Sequence, residues 1–230
     1  MRLKRFNLVL EVSKISLADI ENHKIMSIDK EKRERILNAA MREFCNGYKK
    51  ASTDVIVKEA GISKGLLFHY FNTKKELFIF LYNYSINVLM SEFLIKINLN
   101  ESDILIRLWD MIKLKVELMY IYPDIFDFLI EAQYNTKEGL ERDLEIQYKE
   151  ITNEVYTKLF SNIDTSLFRD NYDIQKVINM ITWTLQGYTE KEILINKTSI
   201  KECQLNIDKT LKDVEEYMNF FRKLLYKEES

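Results

Sequence analysis

Apolar residues recur three and four positions apart along most of this 230-residue chain, which is the spacing of one face of an α-helix. Glycine and proline, the residues that most often interrupt helices, occur only five times and once. We therefore expect an all-α protein. The pattern predicts helices over residues 27–47, 54–60, 63–71, 74–97, 102–122, 124–134, 137–162, 170–196 and 207–226.

Two short helices on either side of Gly61 form the pattern around which the rest of the chain is arranged. The first runs into Gly61, which can take the positive φ angle of a helix stop. Ser63 can cap the second by accepting a backbone N–H bond. Two helices joined by such a turn are typical of a helix-turn-helix. The predicted inner face consists of Ile56, Ala60, Ile62, Leu67 and Phe71.

The second short helix turns an unusual mixture of basic, aromatic and glycine residues outward: Lys64, Gly65, Leu66, Phe68, His69 and Tyr70. Glycine within a helix costs about 1 kcal/mol relative to alanine. Close approach of another molecule, such as the wall of a DNA groove, would explain Gly65. Alternatively, Gly65 only frays the start of a short helix.

Charged residues are unevenly distributed along the chain, although the net charge is only −2. Residues 1–80 carry 16 Lys and Arg against 10 Asp and Glu, and the remaining residues carry 18 against 26. A basic N-terminal part suits a module that binds a polyanion. The two cysteines, Cys45 and Cys203, are far apart and give neither a disulfide framework nor a zinc motif, so we expect a reducing compartment.

The first third of the chain resembles the DNA-binding domain of the tetracycline-repressor (TetR) family of bacterial regulators. Many spaced residues agree at once, which makes the resemblance specific. They are RILNAA (35–40), Phe44, GY (47–48), ST (52–53), VKEAGISKG (57–65), LFHYF (67–71) and KKEL (74–77). Beyond Leu77 the resemblance is only architectural.

The resemblance implies which residues contact DNA. Phosphate is expected to be held by Ser52, Thr53, Tyr70 and Lys74. The recognition helix is expected to face the groove with Ser63, Lys64, Gly65, Leu66, Phe68 and His69. In such an interface, phosphate contacts fix the register and base-edge contacts specify the sequence.

Three positions depart from the family's usual residues. Leu66 stands where threonine is frequent, Phe68 where tyrosine is usual, and Val57 where a small alanine is usual. The first two changes remove hydroxyl groups from the expected interface, although Leu66 could still touch a thymine methyl group. Lys64 could donate to guanine O6 and N7. The departures concern individual contacts and leave the expected fold unchanged.

We divide the chain into three segments: an extension over 1–26, a helix-turn-helix domain over 27–75 with its motif at 52–71, and a larger helical domain over 76–230. The extension begins with basic residues, as a signal peptide does, but Glu11 breaks its apolar run. It is an extra helix, a basic arm or an upstream mis-start, since Met26 is a natural first residue. We assign it no function.

The resemblance implies that the larger domain binds a small ligand and dimerises. The candidate residues for an apolar pocket are Trp109, Val116, Tyr120 and Phe126. For the dimer interface they are Trp183, Gly187, Val214, Met218 and Phe221. Each aromatic residue taken alone is more simply explained as core packing. A two-fold dimer predicts a near-palindromic operator in double-stranded DNA, with recognition helices about 34 Å apart.

These features together predict a cytoplasmic, ligand-responsive transcriptional repressor that an apolar or aromatic effector releases from DNA. Alternatives are a ligand-independent DNA-binding regulator or activator and, less in keeping with the motifs, a helical small-molecule-binding protein or enzyme. We expect no enzyme, because the sequence offers no nucleophile–base arrangement, phosphate-binding loop or metal-binding pair. No cofactor, metal or membrane attachment is expected.

Overall fold

The computed structural model describes residues 20–135, 157, 159–196 and 207–228. Within these ranges the chain forms helices and no strand, which confirms the expected all-α class. The α-helices there are α1 (Lys30–Phe44), α2 (Thr53–Ala60), α3 (Lys64–Tyr70), α4 (Lys74–Lys96), α5 (Ile104–Ile121), α6 (Pro123–Asn135), α7 (Ile174–Asn196) and α8 (Ile207–Leu225). Two short 3₁₀ helices span Lys24–Ser27 and Thr165–Leu167.

Helix boundaries follow the capping residues. Asp29 caps α1 by accepting from the Lys32 N–H at 3.0 Å, and Thr73 caps α4 by accepting from the Glu76 N–H at 3.0 Å. All eight helices begin and end within four residues of the predicted limits. The helix expected over 137–162 lies mostly outside the described residues.

The described chain falls into two compact units. Residues 20–96, 118–135 and 157 form the first, so the boundary expected between residues 75 and 76 lies inside it. Phe44 of α1, Phe78 of α4 and Phe128 of α6 are fully buried, with ring centroids 5.0 to 6.3 Å apart. This aromatic cluster joins the three helices that support the helix-turn-helix.

The segment from residue 20 to α1 belongs to the first unit. Ile25 is completely buried, and His23 lies 5.0 Å from the Phe71 ring and 4.4 Å from the Phe80 ring. Arg33 donates from Nη1 to the Met26 carbonyl at 3.0 Å. The extension was expected to end at residue 26, but its last residues pack into the unit.

Helix α4 is apolar on nearly all sides, as its sequence predicted. In the described part of the chain it is the one helix long and apolar enough to cross a membrane. Half of its most apolar stretch is buried against other residues of the protein. Its buried side chains include Leu77, Phe78, Leu81, Leu89 and Leu94, so α4 has the character of a core helix.

The second unit contains residues 97–117 and the described residues from 159 onward. Leu105 and Leu108 of α5, Ile181 of α7, and Val214 and Met218 of α8 form its apolar core with their neighbours. Asp103 caps α5 and also accepts from Tyr226 Oη at 2.7 Å and Arg222 Nη1 at 2.9 Å. These bonds tie the start of α5 to the end of α8.

Candidate nucleic-acid interface

The turn between α2 and α3 has the geometry that its residues predict. Gly61 takes φ +66° and ψ 39°, the left-handed conformation that favours glycine. The Ile62 N–H donates to the Val57 carbonyl at 3.0 Å, and Ser63 Oγ accepts from the Leu66 N–H at 3.2 Å. One helix is thus closed and the next is capped within three residues.

The side chains of the expected inner face pack α2 and α3 against the rest of the first unit. Ile56, Ala60, Leu67 and Phe71 are all buried to 1 % exposure or less. Ile62 is only half-buried, because it lies in the turn between the helices. This packing decides which side of α3 remains outside.

The outer face of α3 presents Lys64, Gly65 and His69 to solvent, together with Ser63 just before it. Leu66, Phe68 and Tyr70 are half-buried at its edges. The ring of Tyr70 lies 5.4 Å from that of His69 in an edge-on contact. The structure therefore brings all the residues expected at the groove onto or beside one exposed strip.

Gly65 has neither a conformational nor a packing reason within the described chain to be glycine. Its φ angle is not in the left-handed region, and a Cβ atom placed there would have no neighbouring group within 4 Å. An alanine would fit and would favour the helix by about 1 kcal/mol. The absence of a side chain at Gly65 keeps the backbone of α3 open to close approach from outside.

Lys64 forms an ion pair with Asp54 of α2, with Nζ 2.8 Å from Oδ1. Both side chains are more than half exposed, so water screens the pair and it contributes at most about 1 kcal/mol. Asp54 carries no sequence signal for this contact, since only the packing of α2 on α3 brings it beside Lys64. If Lys64 contacts a base, its ammonium group leaves Asp54 and donates to an acceptor on the DNA instead.

Ser52 and Thr53 lie half-buried at the start of α2, where unpaired N–H groups attract anions. The Ser52 side chain makes no capping bond to the helix. Its backbone N–H, however, donates to Glu43 Oε1 of α1 at 2.8 Å. Of the phosphate contacts expected from Ser52, the hydroxyl remains available and the N–H is already occupied.

The side chain of Lys74 is hydrogen-bonded to the backbone of the loop before α2. Its Nζ donates to the Ala51 carbonyl at 2.6 Å and to the Lys49 carbonyl at 3.2 Å. It also lies 4.9 Å from the centre of the Tyr48 ring. Burial lowers the pKa of Lys74, and the nearby Glu43 carboxylate opposes that shift. The ammonium group thus faces the loop before α2.

Arg42, which sequence analysis missed, connects three helices of the first unit. From α1 it donates from Nε to Glu59 of α2 at 2.7 Å and from Nη1 to Asp124 of α6 at 2.7 Å. Burial lowers the pKa of Arg42, but its hydrogen bonds to the two carboxylates and their negative charges raise it by more. The net shift of the Arg42 pKa is therefore upward. An isolated arginine in an amphipathic helix carries no sequence signal for such a bridge.

The expected pocket residues show mixed exposure. In the second unit Trp109 packs partly against the apolar core and Val116 is half-buried. In the first unit Phe126 is half-buried and Tyr120 is 47 % exposed. The pocket stays a prediction.

The expected dimer residues divide into two groups. Trp183 of α7 is 69 % exposed, and Gly187 is exposed one turn further on. Val214, Met218 and Phe221 of α8 instead pack into the core of the second unit, so they cannot form an exposed interface. The apolar stripe of α8 was the correct pattern, but it faces its own unit.

A second apolar stripe of α8 is exposed and consists of Tyr217, Phe220 and Leu224. On α7, exposed Met180, Trp183 and Gly187 have the same spacing of three and four. The Tyr188 and Tyr217 rings lie 5.8 Å apart, which joins the two helices beside these stripes. A free apolar surface of this kind is typical of an interaction site.

Within the described ranges, no group of three or more His, Cys, Asp and Glu side chains could hold a metal ion. His23 caps the 3₁₀ helix Lys24–Ser27 by accepting at Nδ1 from the Ile25 N–H at 3.3 Å. Its environment is formed by aromatic rings, and burial lowers its pKa. The arrangement is structural.

Part of the chain matches a known protein family. Residues 36–80 match the family model for bacterial regulatory proteins of the tetR family. A search of curated protein sequences found no match.

Several solved structures share the fold at low sequence identity. A TetR family transcriptional regulator from Chloroflexus aurantiacus J-10-fl has a TM-score of 0.60 and 14 % identity, over 89 % of this chain and 97 % of that one. TylP, a TetR regulator from Streptomyces fradiae, has a TM-score of 0.58 and 14 % identity, over 86 % and 87 %. The ketosteroid transcriptional regulator KstR2 of Mycobacterium tuberculosis has a TM-score of 0.54 and 17 % identity, over 88 % and 98 %.

Proposed function

Because this chain is a TetR-family DNA-binding transcriptional regulator, we propose that it is a dimeric repressor whose operator binding is relieved by a small apolar or aromatic effector. Helix α3 enters the major groove, and the start of α2 contacts the phosphate backbone. The observation that carries this proposal is the exposed strip of α3 around Gly65. Glycine at this position weakens the helix, and neither its conformation nor its packing within the described chain requires it.

Each contact in the proposed interface has a distinct role. Lys64 leaves Asp54 and donates to guanine O6 and N7, while Leu66 touches a thymine methyl group. His69 and Phe68 lie against the groove further along α3. The hydroxyl groups of Ser52 and Thr53 bind phosphate and set the register.

We propose that two copies associate through the exposed stripes of α7 and α8. Met180, Trp183, Tyr217, Phe220 and Leu224 would be buried in a four-helix interface. Gly187 would let the partner's helix approach closely, since no neighbouring group lies within 4 Å of its Cβ position. A two-fold dimer then reads a near-palindromic operator.

The effector acts on this dimer only if it binds its two states with different affinity. Arg42 is the best-supported link by which such a change reaches the helix-turn-helix, because it joins α6 to α2 through Asp124 and Glu59. Trp109, Val116, Tyr120 and Phe126 remain our candidates for the pocket. We place the protein in the cytoplasm, where its DNA target is, and assign it no catalytic step.

The test begins with selection of bound sequences from a random duplex library by the full-length protein. Anisotropy of the enriched duplex is then titrated at two salt concentrations with non-specific competitor DNA. We expect enrichment of an inverted repeat and tight, competitor-resistant, salt-sensitive binding. Failure to enrich any sequence, with binding abolished by competitor, would overturn the proposal.

A further inference from the structure

The ion pair between Lys64 and Asp54 lies beside the face of α3 that is proposed to enter the groove. Lys64 Nζ is 2.8 Å from Asp54 Oδ1 and donates to Oδ2 at 3.0 Å, so both carboxylate oxygens contact the ammonium group. The two side chains keep 52 % and 70 % of their surface exposed. Asp54 belongs to the first turn of α2, and Lys64 is the first residue of α3. A donor and an acceptor from two helices therefore meet at one exposed point.

The proposed contact of Lys64 with guanine takes the cation away from Asp54. Guanine O6 and N7 require two ammonium N–H groups, and the ammonium group now contacts both oxygens of the carboxylate. Asp54 is then a carboxylate without its cation beside a polyanion, which is unfavourable unless the carboxylate finds a new donor. The donors that bases present in the major groove are the amino groups of cytosine N4 and adenine N6.

A G·C pair offers Asp54 such a donor directly beside the acceptor for Lys64. Guanine O6 and cytosine N4 are joined by a Watson–Crick hydrogen bond and are therefore about 2.9 Å apart, while the second amino hydrogen stays free in the groove. The ammonium and carboxylate groups are separated by the same 2.8 to 3.0 Å. An A·T pair fits less well, because thymine gives Lys64 one acceptor and places a methyl group beside it.

We propose that Asp54 is a specificity-determining residue, which accepts a hydrogen bond from cytosine N4 while Lys64 donates to the guanine of the same base pair. This inference rests on the proposed DNA-binding function and extends base reading from α3 to α2. Because the two side chains come from different helices, they also distinguish G·C from C·G. The alternative is that Asp54 only stabilises the start of its helix, as an acid in a first turn does. Glu31 in the first turn of α1 is the matched control.

Asp54→Ala and Glu31→Ala each remove one exposed acid that pairs with a basic residue, Lys64 or Arg35. Both are titrated against the operator that wild-type protein selects, so failure to select any operator reports on the proposed function alone. Asp54→Ala should bind non-specific duplex more tightly, since repulsion from phosphate is removed. It should not gain the same factor on the operator, because the bond to cytosine is lost. The ratio of operator affinity to non-specific affinity should thus fall by about tenfold, and Glu31→Ala should keep the wild-type ratio.

N4-methylcytosine in the operator tests the contact from the side of the DNA. This base still pairs with guanine, but a methyl group replaces the amino hydrogen that faces the major groove. It is placed in one half-site, at the base pair whose preference Lys64→Ala loses. We expect the modification to weaken wild-type binding by about tenfold and to leave binding by Asp54→Ala unchanged.

Three results would overturn the inference. The first is an affinity ratio in Asp54→Ala equal to the wild-type ratio, whether both affinities rise together or neither changes. The second is an effect of N4-methylcytosine that is the same in Asp54→Ala and wild type. The third is a Lys64-dependent base pair other than G·C. Thermal unfolding accompanies each titration, and if Asp54→Ala does not fold, equal wild-type binding to methylated and unmethylated operator still overturns the inference.

Discussion

Phe220 and Phe221 are neighbours in α8, with ring centroids 6.1 Å apart, yet they face opposite environments. Phe221 is 4 % exposed in the core of the second unit, whereas Phe220 is 59 % exposed. Helix α8 therefore has two apolar faces. One stabilises the fold of a single chain, and we propose that the other stabilises the dimer.

Replacing each phenylalanine by alanine separates the two roles. Phe221→Ala should lower the free energy of unfolding by about 3–5 kcal/mol, because it leaves a cavity in the core. Phe220→Ala should change folding of the monomer little and weaken self-association, as measured by sedimentation equilibrium. A Phe220→Ala protein with the wild-type dimer dissociation constant would place the interface elsewhere.

Gly65→Ala should stabilise the protein and impair its function at the same time. The added methyl group has room in the free chain and favours the helix by about 1 kcal/mol. On DNA it meets the groove wall, and overpacking of about 1–3 kcal/mol corresponds to a loss of about 5-fold to 150-fold in operator affinity. Chemical denaturation and anisotropy measure the two effects on one preparation.

Gly187→Ala is the matched control, since it is also an exposed helical glycine with an open Cβ position. It should raise monomer stability similarly and leave the contacts of α3 unchanged, with any effect appearing in self-association. If Gly65→Ala bound the operator as tightly as the wild type, Gly65 would merely mark a frayed helix start.

His23 should make the protein less stable in acid. Burial lowers the pKa of His23, helped by Lys24 and opposed by Glu76 of α4. Its folded pKa thus lies below the unfolded value of about 6.5, so stability is retained above that pH and falls as pH drops through it toward the folded pKa. Protonation would also turn the Nδ1 acceptor of the Ile25 N–H into a donor.

Denaturation of wild type and His23→Phe between pH 7.5 and 5 measures this contribution, at roughly half-unit intervals across the usual histidine pKa. The phenylalanine keeps an aromatic ring beside Phe71 and Phe80 but cannot titrate. We expect a shallower loss of stability in the variant. Identical pH slopes in His23→Phe and wild type would contradict the assignment.

Arg107 should be a structural residue of the second unit that lysine cannot replace. It is 1 % exposed, and its guanidinium donates to the carbonyls of Leu99, Glu101, Leu159 and Ser161. A lysine ammonium lacks the planar fork that reaches several carbonyls at once. Since each unsatisfied buried group costs about 1–3 kcal/mol, Arg107→Lys should lower the unfolding free energy by about 3 kcal/mol.

Arg169 provides the control for that substitution. It also donates to two backbone carbonyls, those of Tyr226 and Lys223, but its side chain is exposed. Water can replace its bonds, so Arg169→Lys should change the unfolding free energy by roughly 0.5 kcal/mol or less. Equal losses in the two variants would show that burial of Arg107 does not determine its contribution.

Helical periodicity predicted the elements because spacing and capping are local properties. Gly61, Ser63 and Thr73 act within a few residues of their own positions, and all three do what their types predict. Periodicity also found Val214, Met218 and Phe221 as one stripe. It could not tell whether the stripe faces its own chain or a partner, because burial against either requires the same apolar residues.

Contacts between distant parts of the chain could not be read in this way. Lys74 has the charge and position of a phosphate ligand, and only the fold shows its ammonium bonded to the Ala51 carbonyl. Likewise, Arg42 meets Asp124 across 82 positions of sequence. The segment around Ile25 gave no helical pattern, although its side chain is fully buried.

In the proposed complex α3 reads the base sequence of the operator, and Lys64→Ala tests this role most directly. The sequences selected from a random duplex library by wild type and by Lys64→Ala are compared, with Lys75→Ala as the charge control. We expect preference to be lost at one symmetric pair of positions, with a discrimination of about 1–3 kcal/mol removed there, while the rest of the inverted repeat is retained. Unchanged base preferences in Lys64→Ala would contradict the docking of α3 in the groove.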